Sequence, residues 1–68
     1  MDLDNKFSLD VFRSHKERIE MIQDVNCPVE VRRIVAEHDL DSDVLFALWI
    51  VNLKYNDEIT NKWLIENL

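Results

Sequence analysis

The chain has 68 residues, of which 47% are hydrophobic and 32% charged, with one proline, one cysteine and no glycine. That length is one domain, residues 1–68, near the lower end of what folds unaided; the apolar share excludes a disordered chain, and the lack of glycine argues against hairpin turns. Fourteen acids against eight bases give a net charge of −6, which disfavours nucleic acid and anionic membranes and favours a partner with a basic surface.

The charge is uneven. Residues 38–68 carry six acids and two bases, so the C-terminal half is the electronegative one. Cys27 has no second cysteine to pair with, the start "MDLDNKFSLD" is acidic, and the longest apolar block, Val44 to Val51, is far shorter than the ~20 residues of a membrane span. These features lead us to expect a cytoplasmic protein with no membrane segment.

In chain order, the spacing predicts a first helix from an N-cap at Ser8 to about Gln23. Val11, Phe12, His15, Ile19 and Ile22 share its apolar face, and Arg13, Lys16, Glu17 and Glu20 lie away from it. "DVNCP" interrupts the pattern, and a second helix starts at Pro28, whose missing N–H costs nothing in a first turn. Its inward positions are Val31, Ile34, Val35 and His38, with Glu30, Arg32, Arg33 and Glu37 on the other side. Asp39, Asp41, Ser42 and Asp43 precede the third helix, where short acceptor side chains cap free N–H groups and negative charge suits the helix dipole.

The third helix, about Asp43 to Tyr55, contains "VLFALWIV" and has no polar face over two turns. It is therefore either the central helix or one that reaches a second chain. After the turn "YNDE" a short fourth helix follows, with Ile59, Trp63, Leu64 and Leu68 able to cover the third. The expected fold is all-α, a compact bundle of three or four short helices.

The steps from Ile22 to Val31 and from Val35 to Val44 both span nine residues across an acidic turn. The segment "CPVEVRRIVAEHDLDSDVLFAL" resembles a unit of the leucine-rich-repeat-variant and HEAT-like helical arrays, through Val31-Arg32, Val35-Ala36 and Val44-Leu45. It departs from them in carrying Asp39-Leu40 where an asparagine-proline turn is usual. The resemblance covers residues 27–48. It implies a helical scaffold for protein binding and assigns no catalytic residue.

Chemistry-bearing patterns are few. "DLDSDV" lacks the glycine and glutamate of a calcium loop, since the sixth and twelfth places counted from Asp39 are Val44 and Ile50. Cys27, His15 and His38 do not have the paired short spacing of a zinc site. No glycine-rich turn exists to cradle an oxyanion or a phosphate. We expect no enzyme, no cofactor and no metal.

Two binding chemistries remain. Phe46, Trp49, Tyr55 and Trp63 are the side-chain types that dominate interface energies, and Asp39, Asp41, Asp43, Asp57 and Glu58 give them an acidic border. These residues point to a small acidic protein-binding module that docks through its C-terminal half onto a basic surface. With Glu66, the same acids could also stand in for phosphates on a nucleic-acid-binding protein. In size and charge the chain is similar in character to the small regulators and inhibitors that bacteriophages direct at host proteins. Homodimerisation through the third helix is compatible with this reading. The alternative is a small helix-turn-helix regulator contacting nucleic acid through Arg13, Lys16, Arg18, Arg32 and Arg33, set against the bland reading that these bases pair with Glu17, Glu20, Glu30 and Glu37.

Overall fold

The structure, a computed structural model, describes residues 14–68. Among the described residues there are four helices and no strand: α1 (His15–Gln23), α2 (Val29–His38), α3 (Ser42–Tyr55) and α4 (Glu58–Asn67). The fold is the all-α bundle that the sequence predicts.

Each helix end has a local cause. Ser14 adopts an extended conformation; its hydroxyl accepts the Glu17 N–H at 3.2 Å, and the Glu17 carboxylate accepts the Ser14 N–H at 2.9 Å. This capping box satisfies two otherwise free donors and starts α1 at His15. The start expected at Ser8 is thereby corrected; residues 8–13, including Val11, Phe12 and Arg13, lie outside the described residues. His15, expected on the apolar face, is exposed, because the buried part of α1 is its last turn, Met21 and Ile22.

Pro28 is the N-cap of α2 rather than its first helical residue, and its carbonyl accepts the Val31 and Arg32 N–H groups. At the next turn the expected capping does not occur. Asp41 holds the N-cap position of α3 without a side-chain hydrogen bond to the helix, and Asp39 ends α2 while its carboxylate accepts the Asp41 N–H at 3.0 Å. The last turn is the most closely specified. Asn56 takes the left-handed conformation (φ 56°) that asparagine tolerates better than most residues. Asp57 then caps α4, accepting the Thr60 N–H at 2.9 Å and the Thr60 hydroxyl at 2.8 Å. The buried Asn52 amide clasps the turn from below, accepting the Asp57 N–H at 3.0 Å and donating to the Asp57 carbonyl at 3.1 Å.

Helix α1 packs on α3 and α2 on α4, with α3 also touching α2 and α4. Ile22, Val35, Ala36, Val44, Leu48 and Leu64 are each at most 1% exposed and form the centre, joined by Met21, Cys27 and Leu45. Removing a side chain such as Leu48 from water contributes roughly 2–3 kcal/mol. Asn67 reaches back from α4 to donate to the Ala36 carbonyl at 2.8 Å, which ties the end of α4 to the end of α2.

Among the described residues, helix α3 is not enclosed on every side. Its buried residues, Val44, Leu45, Leu48 and Asn52, all lie on one face, while Phe46, Trp49, Ile50 and Leu53 on the opposite face are exposed. Ile59 and Leu68, expected to cover α3, are themselves about half exposed; from α4, Leu64 and, in part, Trp63 join the apolar core, and Thr60 is buried beside them. Of the described helices, none is long and apolar enough to cross a membrane.

Candidate docking face

Three members of the expected basic strip, Arg18, Arg32 and Arg33, are engaged within the fold. Arg32, predicted on the polar side of α2, is only 4% exposed. Its Nε–H donates to the Ile22 carbonyl at 3.1 Å and its Nη2 to the Asp24 carbonyl at 2.9 Å, and its guanidinium carbon lies 4.2 Å from the Tyr55 ring centre. These carbonyls belong to the last turn of α1 and the residue that ends it, where no intrahelical donor remains, and a positive charge suits the negative end of that helix dipole. Arg32 is therefore a long-range cap for α1.

Arg33 lies against Asp57 in a two-point fork, Nε to Oδ2 at 3.0 Å and Nη2 to Oδ1 at 2.8 Å. The guanidinium holds the Asp57 carboxyl well below the usual carboxylate range, opposed by partial burial and helped by the Thr60 hydrogen bonds, while the Arg33 pKa is raised by the same fork. Arg18 spans the two acids of the α2–α3 turn, with Nη1 at 2.7 Å from Asp39 Oδ2 and Nη2 bonded to Asp41 Oδ2. Among the described residues, Arg18 and Arg33 thus take their ion pairs from aspartates on distant turns, although the Glu30 charge also raises the Arg33 pKa. Lys16 is exposed, and Arg13 lies outside the described residues.

The same pairs reshape the expected acidic border. The Asp39 side chain is 4% exposed and the Asp57 side chain 16%, each engaged by an arginine, whereas Asp41 is half exposed although it also holds Arg18. Asp43 at the start of α3, Glu58 at the start of α4 and Glu66 near its end are exposed. With the half-exposed Asp41, their carboxylates are the ones that face solvent in the C-terminal half.

The aromatics separate into two groups. Phe46 and Trp49 stand one turn apart on the exposed face of α3, ring centres 5.6 Å apart and tilted by 39°. Tyr55 lies over Arg32 on another side of the molecule, and Trp63 is half-buried with Lys62 over its ring. Phe46, Trp49, Leu64, Ile65 and Leu68 line an open, almost wholly apolar groove of about 350 Å³ between α3 and α4. Ile50 and Leu53 extend the stripe along α3, following Phe46 by four and seven residues.

Ile50, Leu53, Ile65 and Leu68 belong to this face in addition to the residues expected from the sequence. The signal was present in the spacing of 46, 49, 50 and 53, but the opposite face of α3 is equally apolar, so periodicity could not say which face the bundle would use.

A second concavity, bordered by Val29, Arg32, Arg33, Tyr55, Asp57 and Ile59, is formed largely by groups already paired with one another. Cys27 is buried, and burial raises its thiol pKa; the nearby Arg32 charge lowers it and Asp24 raises it further. No group of three or more His, Cys, Asp or Glu side chains suited to holding a metal ion occurs among the described residues. Comparison with protein families, with curated proteins and with solved structures finds no match to this chain.

Proposed function

We propose that this chain is a protein-binding module whose docking face is the apolar stripe of α3 together with the α3–α4 groove. One observation carries the reading: α3 exposes Phe46, Trp49, Ile50 and Leu53 along a single line, opposite the face that builds the core. A helix that is apolar all round is ordinarily buried all round, and contiguous exposed apolar patches of this kind mark interaction sites. Phe46 and Trp49 are the anchors, offering large rigid side chains beside a groove that can receive one from the partner.

The partner fitted by the rim is a protein with a basic surface. Asp43 lies one turn before Phe46 on the same side of α3, and Glu66 follows the groove residue Ile65 directly. With a net charge of −6 on the whole chain, these acids steer a cationic surface towards the stripe and contribute more to the rate of encounter than to affinity. A scaffold for protein binding is also what the likeness of residues 27–48 to helical repeat units implies. The module has the size and charge of a small regulator that acts by covering a surface on another protein.

The test is affinity capture by the tagged chain from nuclease-treated lysate, comparing the wild type with Phe46→Asp and with Lys16→Glu. A protein recovered in stoichiometric amount by the wild type and by Lys16→Glu, and lost with Phe46→Asp, is the expected result. Capture that is indifferent to Phe46→Asp but abolished by Lys16→Glu, or that disappears with nuclease, overturns the reading.

A further inference from the structure

We infer that, when no other partner is bound, a second copy of the same chain covers the exposed stripe of α3, forming an antiparallel two-fold dimer along that helix. The inference rests on the reading of this face as a docking face and names an occupant for it. Three observations on α3 point to a second copy.

The first is the charge pattern. Asp43 lies in the first turn of α3 and Lys54 in the last. They are eleven residues apart, which at 3.6 residues per turn places them within about 20° of each other around the helix axis, on the same flank of the stripe. In an antiparallel two-fold pair each flank faces its own copy with the ends exchanged, so Asp43 meets the other copy's Lys54 twice. A parallel pair puts Asp43 level with Asp43 and Lys54 level with Lys54, and no opposite charges come into register. Antiparallel alignment also opposes the two helix dipoles favourably.

The second is the register. A two-fold axis between positions 49 and 50 sets Phe46 opposite the second copy's Leu53 and gathers Trp49 and Ile50 of both copies around the axis. Leu53 is 67% exposed, while Phe46 is one of the residues that line the open groove between α3 and α4. The second copy's Leu53 is therefore delivered to the groove, and the reciprocal contact follows by symmetry. In the same alignment Asp43 falls two residues, ~3 Å along the axis, from the level of the second copy's Lys54, within the reach of a lysine side chain.

The third is area. Phe46, Trp49, Ile50, Leu53, Ile65 and Leu68 are between 39% and 72% exposed. A half-exposed side chain of this size offers ~100 Å², so the six together present roughly 600 Å² of apolar surface, and the charged flank brings the face close to the ~800 Å² per partner of a stable interface. Two copies at −6 repel each other, but at physiological ionic strength that field is screened within about 8 Å, so the contact face decides.

The experiment is sedimentation equilibrium on the full chain over a concentration series up to ~1 mM, with far-UV circular dichroism confirming that each variant is folded. The wild type is expected to dimerise and Leu53→Glu to be monomeric throughout. Asp43→Lys is expected to weaken the dimer by about tenfold, through loss of two charge pairs and their replacement by like charges, and adding Lys54→Asp to restore it. A monomeric wild type, a dimer indifferent to Leu53→Glu, or a double variant no tighter than Asp43→Lys alone overturns the inference. A monomeric wild type that still captures a protein through Phe46 overturns the dimer and leaves the docking reading standing. Capture and self-association both indifferent to this face overturn the two together.

Discussion

The Arg32 guanidinium donates to the Ile22 carbonyl at 3.1 Å, ten residues back in the chain, so the most buried positive charge among the described residues serves as the C-terminal cap of a neighbouring helix. This contact joins α1 to α2 more specifically than apolar packing does, because a guanidinium satisfies two carbonyls in fixed directions.

Replacing Arg32 with alanine removes the Ile22 carbonyl's guanidinium donor, leaves the Asp24 carbonyl with the Cys27 N–H, and removes the packing beneath Tyr55. The expected loss is about 3 kcal/mol, a large share of the stability of a domain this small. Arg32→Lys recovers only part of it, since an ammonium cannot present the same fork. Urea denaturation followed by circular dichroism measures both, with Lys16→Ala as a surface control expected to stay within about 0.5 kcal/mol of the wild type.

Asp57 links stability to pH. Its carboxyl titrates well below the usual carboxylate range when folded, because of Arg33 first and the Thr60 hydrogen bonds after it, whereas in the unfolded chain it titrates at about 3.9. A folded value below the unfolded one means that the contribution is complete above the unfolded value and is lost as pH falls below it. Denaturation midpoints are therefore expected to be flat for this group from pH 7 to about 5 and to drop below pH 4. Asp57→Asn keeps an N-cap acceptor but cannot change charge, so its profile loses that part of the acid slope; Asp57→Ala loses the cap as well, at a further cost of about 1 kcal/mol.

Leu48 and Leu40 make a contrast between identical side chains. Leu48 is fully buried between α3 and the core, and Leu48→Ala is expected to cost 2–5 kcal/mol, roughly enough to unfold the domain at 37 °C. Leu40, 95% exposed in the α2–α3 turn, is expected to tolerate alanine within about 0.5 kcal/mol. Thermal melts of the two variants decide it.

Cys27 reports local opening. It is 5% exposed and its thiol pKa is raised, chiefly by burial, so at pH 7.5 both access and thiolate fraction are low. Reaction with an aromatic disulfide reagent is expected to be at least about tenfold slower in the native chain than in urea, and to accelerate in Arg32→Ala, which loosens the α1–α2 turn.

Much of the fold was legible in the sequence. The three breaks fall at Pro28, at the acid-rich 39–41 turn and at Asn56-Asp57, and Val35 and Leu64 point inward as their spacing requires. Helix class and break positions are local properties, set by glycine and proline content, cap chemistry and the 3.6-residue period, and a sequence displays them directly.

The tertiary structure alone decided the rest. Arg18 and Arg33 take acids 21 and 24 residues away, Asp39 and Asp57, because packing α1 and α2 against the two turns brings planar forks and carboxylates together in partly desolvated positions. Long, flexible charged side chains carry no record of such partners in their spacing. Helix α3 has no periodic contrast to read, being apolar on both faces. Which of them becomes core and which the exposed stripe is settled, among the described residues, by the three shorter helices, which together cover one side.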